Sequence, residues 1–242
     1  MSGGYIAFRA QREAQSRIPA PTLASPHEGF VVGVDLGKHV DFTAISILER
    51  TTVDTSEIKQ RGFEPPTVIN TTKKVYHLRH LQRLRLGTPY HEVNDIIATI
   101  LKALPPARMA PALVVDATGS GDPPVEAMQK AGLRPIAIKI HSGHTENRVS
   151  STQWNVPKRN LVSRLAVVME SGRLRVAPDL VFAETFVNEL SNFKVKISVS
   201  GHDSYDAWRE SIHDDLVLSV ALAVWFAERP VMPTSINFSM ER

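Results

Sequence analysis

The sequence predicts an α/β domain built on one mixed sheet, antiparallel in its first strands and parallel afterwards, with helices packed over it. Three observations carry that expectation. The first apolar segments, FVVGVDLG (30–37) and TAISILE (43–49), are short, rich in β-branched residues and separated by a brief polar turn, as in a hairpin. The middle of the chain then changes to strand, glycine-containing turn, helix and strand, the grammar of a parallel crossover. Finally, 242 residues with 43% hydrophobic and 22% charged content suffice for one sizeable buried core.

The elements follow in order. Residues 1–29 hold Gly3, Gly4, Pro19, Pro21 and Pro26 without a sustained period and read as a flexible tail or linker, so the domain is expected to span 30–230, with a second tail at 231–242. The hairpin strands give way to a polar stretch with Pro65-Pro66, read as an irregular loop over 50–70, and then to a strand at 72–81. Val93, Ile96, Ile97, Ile100, Leu101 and Leu104 recur at helical spacing over 91–104, before Pro105-Pro106 stops the helix. ALVVDATGSGDPPVEAM supplies strand, turn and helix from residue 112, and RPIAIKI a strand at 134–140. Beyond it the pattern predicts a helix at 158–171, a strand at 174–177, a helix at 179–192, a strand at 193–199 and a closing helix at 211–228.

Composition removes several kinds of chemistry. With no cysteine there is no disulfide, thiolate zinc site or cysteine nucleophile, and no apolar run approaches the roughly 18–20 residues of a membrane span. A formal charge of +3 and a pI of about 9.2 say little alone about nucleic acid. The distribution says more: 73–85 carries Lys73, Lys74, Arg79, Arg83 and Arg85 without an acid, and 130–175 sets nine basic residues, Lys158 and Arg159 among them, against Glu146 and Glu170. Beside an acidic pocket such runs suit phosphates, which makes Lys73, Lys74, Arg79, Lys158 and Arg159 candidate contacts to a nucleic-acid backbone, with a solvated helix face the other reading for part of each run.

Acidic residues share one structural address. Asp35 ends the first strand, Asp116 ends a central strand, and Asp214-Asp215 opens an otherwise apolar closing helix. Ligands of open α/β sheets bind beyond the carboxyl ends of strands, so adjacent strands would bring Asp35 and Asp116 together and a docked helix start would add the final pair. Converging carboxylates without basic partners repel unless a cation resolves the conflict, and Mg²⁺ or Mn²⁺ suits oxygen ligands. Capping readings stand beside this one: Asp214 as the end of a capping box from Ser211, and Asp122 before Pro123-Pro124. His213 reads as a proton-transfer aid or a surface residue; Lys38 and His39 read as phosphate contacts or exposed turn residues.

GVDLGKHVDFTAISIL, VVDATGSGDPPVEAM and HDDLVLSVALA, in that order, together with VPKRNLVSRLAVVMESGRLRVAP at 156–178, resemble the C-terminal nuclease domain of the phage terminase large subunit. That family has an RNase H-like fold shared more distantly with RuvC resolvases. The resemblance implies Asp35, Asp116 and Asp215 as metal-binding catalytic acids, Asp214 as a fourth, Asp41 as a further ligand or water-holder, and two Mg²⁺ or Mn²⁺ ions. It does not separate Asp214 from Asp215 as primary ligand, and where some relatives carry another acid one turn into the closing helix this chain has Ser219.

By the same resemblance the chain would cut concatemeric viral double-stranded DNA during genome packaging in the cytoplasm of a bacterial host. Its partners would be the terminase ATPase domain, the small terminase subunit and the portal. No G-x-x-x-x-G-K-[ST] is present, so the expectation is an excised nuclease domain or a stand-alone nuclease. Two alternatives stay open: an actin-like or sugar-kinase-like ATPase, from VGVDLG and VVDATGSGD, and a catalytically silent DNA- or partner-binding module on the same fold.

Overall fold

The computed structural model describes residues 28–37, 41–59, 67–118, 123–199 and 214–229. Of the tail readings, 1–29 and 231–242, residues 1–27 and 231–242 lie outside the described residues, as do Lys38, His39, Asp122 and His213, whereas Gly29 opens the first strand.

Among the described residues eight strands form one mixed sheet in the order β6-β7-β5-β4-β1-β2-β3-β8. β1 (Gly29–Asp35), β2 (Ala44–Lys59) and β3 (Thr67–Arg83) are an antiparallel meander, while β4 (Ala112–Asp116), β5 (Pro135–His141) and β7 (Gln153–Pro157) extend the sheet from β1 in parallel. The two-residue β6 (Asn147–Arg148) closes one edge antiparallel to β7, and β8 (Leu174–Val176) closes the other parallel to β3. An antiparallel opening and a parallel continuation are as the sequence predicts.

The period-two alternation of the strands sorts the core into two layers. Phe30, Val32 and Val34 of β1 and Leu113 and Val115 of β4 face α1 (Tyr90–Ala103) and α2 (Pro123–Lys130), with Val93, Ile97 and Met128 as their partners. Val31 and Val114 face the opposite way, onto α3 (Lys158–Glu170), α4 (Ala183–Val199) and α5 (Asp215–Ala227). α5 is apolar around its whole circumference, and a helix of that kind is stable only when enclosed. Leu216 through Trp225 are all buried, between the sheet on one side and α3 and α4 on the other.

α2 and α3 end in the same way. Gly132 and Gly172, at φ of +81° and +64°, let the chain reverse so that the next amide, Leu133 or Arg173, donates to the carbonyl five residues back.

Two segments differ from expectation. Much of the stretch read as an irregular loop over 50–70 is the outer half of the β2–β3 ribbon, with Thr51 opposite Val75, Val53 opposite Lys73 and Thr55 opposite Thr71. Its polarity suggested a loop, but its Thr, Val and Ile residues fit a pleated ladder, and the hydroxyls of Thr55 and Thr71 bond across it at 2.8 Å. The strand expected at 193–199 is helical, continuing α4. A helix already anchored by buried Phe186 and Leu190 gains a backbone bond with each added residue, which overrides the local alternation of FKVKISV.

Candidate active site

Asp35 and Asp116 meet because of strand register. In the β1–β4 pair Gly33 lies beside Val114 and Val34 beside Val115, so one step further each strand ends on its aspartate. The alternation that turns Val31 and Val114 toward α5 turns both carboxyls the same way. Asp35 and Asp116 share a hydrogen bond. Asp116 Oδ1 also accepts the amide of Thr118 at 2.7 Å, and the Thr118 hydroxyl accepts the amide of Ile140 at 2.6 Å, which ties the end of β4 to β5.

α5 crosses β1 at Gly33. A Cβ there would stand 2.0 Å from the backbone oxygen of Ser219 and 3.1 Å from the Cβ of Ala223, so only glycine allows this approach. Ser219 is fully buried and returns its hydroxyl to the carbonyl of Leu216 at 2.9 Å. Asp215 lies one helical turn before Ser219, and Asp35 lies two residues beyond Gly33 on the same strand face. The crossing therefore sets the head of α5 over the end of β1.

The two aspartates at that head have different partners. Asp214 occupies the N-cap position of α5 without making a side-chain cap, and Ser211, from which the capping box was read, lies outside the described residues. It binds Lys158 Nζ, from the first residue of α3, at 3.0 Å. Asp215 is 5% exposed, and its Oδ2 lies 3.3 Å from Arg83 at the end of β3. Arg83 also donates to Glu189 of α4 and stacks on the Phe42 ring. Glu189 Oε2 accepts the amides of Leu216 and Val217 at 3.1 and 3.3 Å.

Electrostatics report the convergence directly. Burial raises Asp35 well above the ordinary carboxylate range, and the charges of Asp116, Asp215 and Asp214 raise it further, with Lys158 acting against them. Burial pushes Asp116 up to about 6, opposed by its bonds to Thr118 and by Lys158. Burial pushes Glu189 up to about 7 against Arg83 and the Val217 amide. Without a metal, then, the strand-end pair keeps its protons to higher pH than isolated aspartates do.

The donor set suits a hard divalent cation. It offers carboxylate oxygens alone, its members raise one another's proton affinity, and the strand-end pair shares a hydrogen bond where a cation would relieve the repulsion. Among the described residues no three His, Asp or Glu side chains stand close enough to grip an ion by themselves. Mg²⁺ commonly takes only one or two carboxylates and completes its shell with water and substrate phosphate, so an open set of this kind fits.

Of the residues singled out in the sequence, Asp35, Asp116, Asp214 and Asp215 come together and Asp41 is exposed in the turn after β1. Lys158 is at the acid centre rather than on a separate surface. That corrects the premise that the acids converge without basic partners, since Asp214 and Asp215 each have one. Arg159 donates to the carbonyl of His144 at 3.0 Å, and Arg79 pairs with the buried Glu49 across the β2–β3 ladder. Lys73, bonded to the carbonyl of Ser171, and Lys74, which acts on Glu228, belong to the opposite end of α5, about 30 Å along β3 from Arg83. Sequence reasoning missed Glu189 and the pairing of Arg83. The available signal was a single acid among the apolar residues Phe186, Val187 and Leu190.

The strand order, the helix layers and the carboxylates at the strand ends define an RNase H-like α/β domain. No family model matches the chain. Over 198 residues, 82% of this chain, it is 27% identical to the terminase large subunits of Thermus phage G20c and of Thermus virus P23-45. The match takes in 32% of each, so the chain spans about a third of the length of the curated relatives it matches. Among solved structures, the human cytomegalovirus terminase nuclease domain, Mn soaked and inhibitor bound, superposes with a TM-score of 0.52 at 11% identity, over 90% of this chain and 94% of that one. The resemblance to the terminase large subunit and the RNase H-like fold are both borne out. Among the described residues no helix is long and apolar enough to cross a membrane.

Proposed function

We propose that this chain is a terminase-type DNA endonuclease that uses Mg²⁺ or Mn²⁺, two ions in the full reaction, to hydrolyse phosphodiester bonds. The observation that carries the reading is the meeting of Asp35, Asp116, Asp214 and Asp215, from two adjacent parallel strand ends and one helix start, in mutually unfavourable ionisation. Asp35, Asp116 and Asp215 would hold the metal, with Asp214 beside them and Asp41 as a further ligand or water-holder. Bound there, the metal would supply Lewis acidity toward the phosphate and a more acidic attacking water.

The chain's own groups account for the rest. Asp35 and Asp116, once ionised, complete with Asp214 and Asp215 a set of four carboxylate ligand groups, and their raised proton affinity sets protons in competition with the metal as pH falls. Lys158, 3.0 Å from Asp214, and the neighbouring Arg159 offer cationic donors to phosphate oxygens at the edge of the centre. These contacts, with those of Lys73, Lys74 and Arg79 further off, grip the backbone without reading bases. The substrate is then double-stranded concatemeric viral DNA, cut with weak sequence preference in the cytoplasm of an infected bacterium. The partners are the terminase ATPase domain, the small subunit and the portal.

The test is plasmid cleavage by the purified chain in Mg²⁺, Mn²⁺, Ca²⁺ or EDTA, beside Asp35→Asn and Asp116→Asn. Cleavage that requires Mg²⁺ or Mn²⁺ and is lost in both variants is the expected result. Equal cleavage by wild type and both variants would assign the activity to a contaminant. A folded protein that binds DNA and never cuts it would favour the silent module.

A further inference from the structure

A helix that opens on two aspartates would ordinarily spend one of them on itself. The N-cap side chain normally accepts the amide of the second or third helical residue, and these donors are left without partners if it does not. In α5 that duty passes to another element. Asp214 makes no side-chain cap, and the amides of Leu216 and Val217, the second and third helical residues, donate instead to Glu189 Oε2 of α4 at 3.1 and 3.3 Å. Glu189 is 6% exposed, and its other oxygen takes Arg83, whose guanidinium reaches on to Asp215 Oδ2 at 3.3 Å. One buried carboxylate thus caps the helix from outside and fixes the cation that touches Asp215.

We infer that Glu189 is a positioning residue of the acid centre: by capping α5 from α4 and anchoring Arg83, it leaves Asp214 and Asp215 available to the metal and sets the carboxylate of Asp215. The inference rests on the reading of Asp215 as a metal-binding acid. It also explains why Arg83 does not neutralise the site. Shared between Glu189 and Asp215, its single charge is only partly spent on Asp215, which leaves that carboxylate able to serve a divalent ion. A purely structural ion pair has no reason to include the helix-start amides and the site acid together.

The experiment compares wild type, Glu189→Gln, Glu189→Ala and Arg173→Met. The last variant breaks a partly buried ion pair at the far end of α5, where Arg173 forks onto Glu228 at 2.6 and 2.8 Å. Two readouts are taken for each: the rise in melting temperature on Mn²⁺ titration without DNA, and the Mn²⁺ concentration for half-maximal plasmid cleavage. Glu189→Ala is expected to need at least 10-fold more Mn²⁺ in both. Glu189→Gln, which keeps an acceptor oxygen for the amides but not the charge that holds Arg83, is expected to fall between it and wild type. Arg173→Met is expected to melt lower with an unchanged Mn²⁺ requirement.

If Glu189→Ala does not fold, Glu189→Gln decides by itself. Mn²⁺ requirements equal to wild type in the folded Glu189 variants, with only a lower melting temperature, would overturn the positioning role while leaving the nuclease reading intact. A wild-type protein with no Mn²⁺ response in either readout would remove the nuclease reading and this inference together.

Discussion

Replacing Gly33 by alanine should push α5 off β1 and separate the acids without touching any of them. The added Cβ would lie 2.0 Å from the backbone oxygen of Ser219, 2.9 Å from Ser46 Oγ and 3.1 Å from Ala223 Cβ. Ser46 can rotate away, but a helix carbonyl moves only with its helix, and a tolerable contact asks for a withdrawal of roughly 1 Å or more. Gly33 is not among the glycines at positive φ, so the strain is one of space. Overpacking of this kind costs about 1–3 kcal/mol, and the upper end applies when backbone must shift. The reduced freedom of the unfolded chain returns about 0.4–1 kcal/mol. The net loss of about 2 kcal/mol should lower the melting temperature by about 4–8 °C in a domain of this size. Because Asp215 is one turn from the displaced carbonyl, plasmid cleavage should fall by about 100-fold, the scale expected when a reacting group is misplaced by 1 Å. Calorimetry or circular dichroism gives the first number and initial cleavage rates the second. An alanine variant that melts and cuts like wild type would show that α5 does not press on β1 and would refute this account of how the site is assembled.

Two further outcomes follow from buried charge. Asp116 is pushed up to about 6 and Asp35 is raised above the ordinary range. In EDTA the folded state therefore holds protons that the unfolded chain has released, and these carboxyls lose their contribution as pH rises from about 4 to above 6. The Asn variants keep a neutral group at every pH, so the advantage in unfolding free energy of Asp116→Asn over wild type should grow between pH 4.5 and 7.5, toward about 3 kcal/mol; a difference independent of pH would contradict the shift. Arg173→Met should cost about 2 kcal/mol in urea unfolding at pH 7, since it removes the forked partner of Glu228 and leaves it, among the described residues, the Tyr76 hydroxyl and the Lys74 charge, and it should leave the slope of the transition unchanged.

What the sequence made legible was local. Alternation in FVVGVDLG and ALVVD gives two strands, and both aspartates fall at the end where parallel strands present ligand sites, so Asp35 and Asp116 could be placed together from one assumption, adjacency. The apolar circumference of α5 likewise announced a buried helix with a charged head. Contacts between residues far apart in the chain were not legible. Arg83 and Glu189 are 106 positions apart, and nothing near either names the other. Lys158 read as one of nine basic residues in its region, because charge runs describe composition rather than which member turns inward. The outer half of the β2–β3 ribbon was missed because its Thr-rich strands support each other by pairing, a stabilisation no single segment displays.

On the nuclease reading proposed above, the arrangement of cations around the acids bears on why a metal would complete the centre. Five carboxylates, those of Asp35, Asp116, Asp214, Asp215 and Glu189, surround two basic groups, Lys158 and Arg83. A third basic side chain would bring the centre closer to neutrality and make the metal-free protein more stable, but it would occupy the oxygens that a divalent ion requires. The strand-end pair instead has a raised affinity for protons in the metal-free state, and a proton, unlike a lysine, leaves when a stronger cation arrives. Metal uptake at mildly acidic pH should then release protons from the strand-end pair, and the two basic groups keep the remaining repulsion small enough for the metal-free centre to fold. The elevated carboxyls and the inward Lys158 and Arg83 are, on this argument, two halves of one solution: enough positive charge to hold the acids together, and too little to satisfy them.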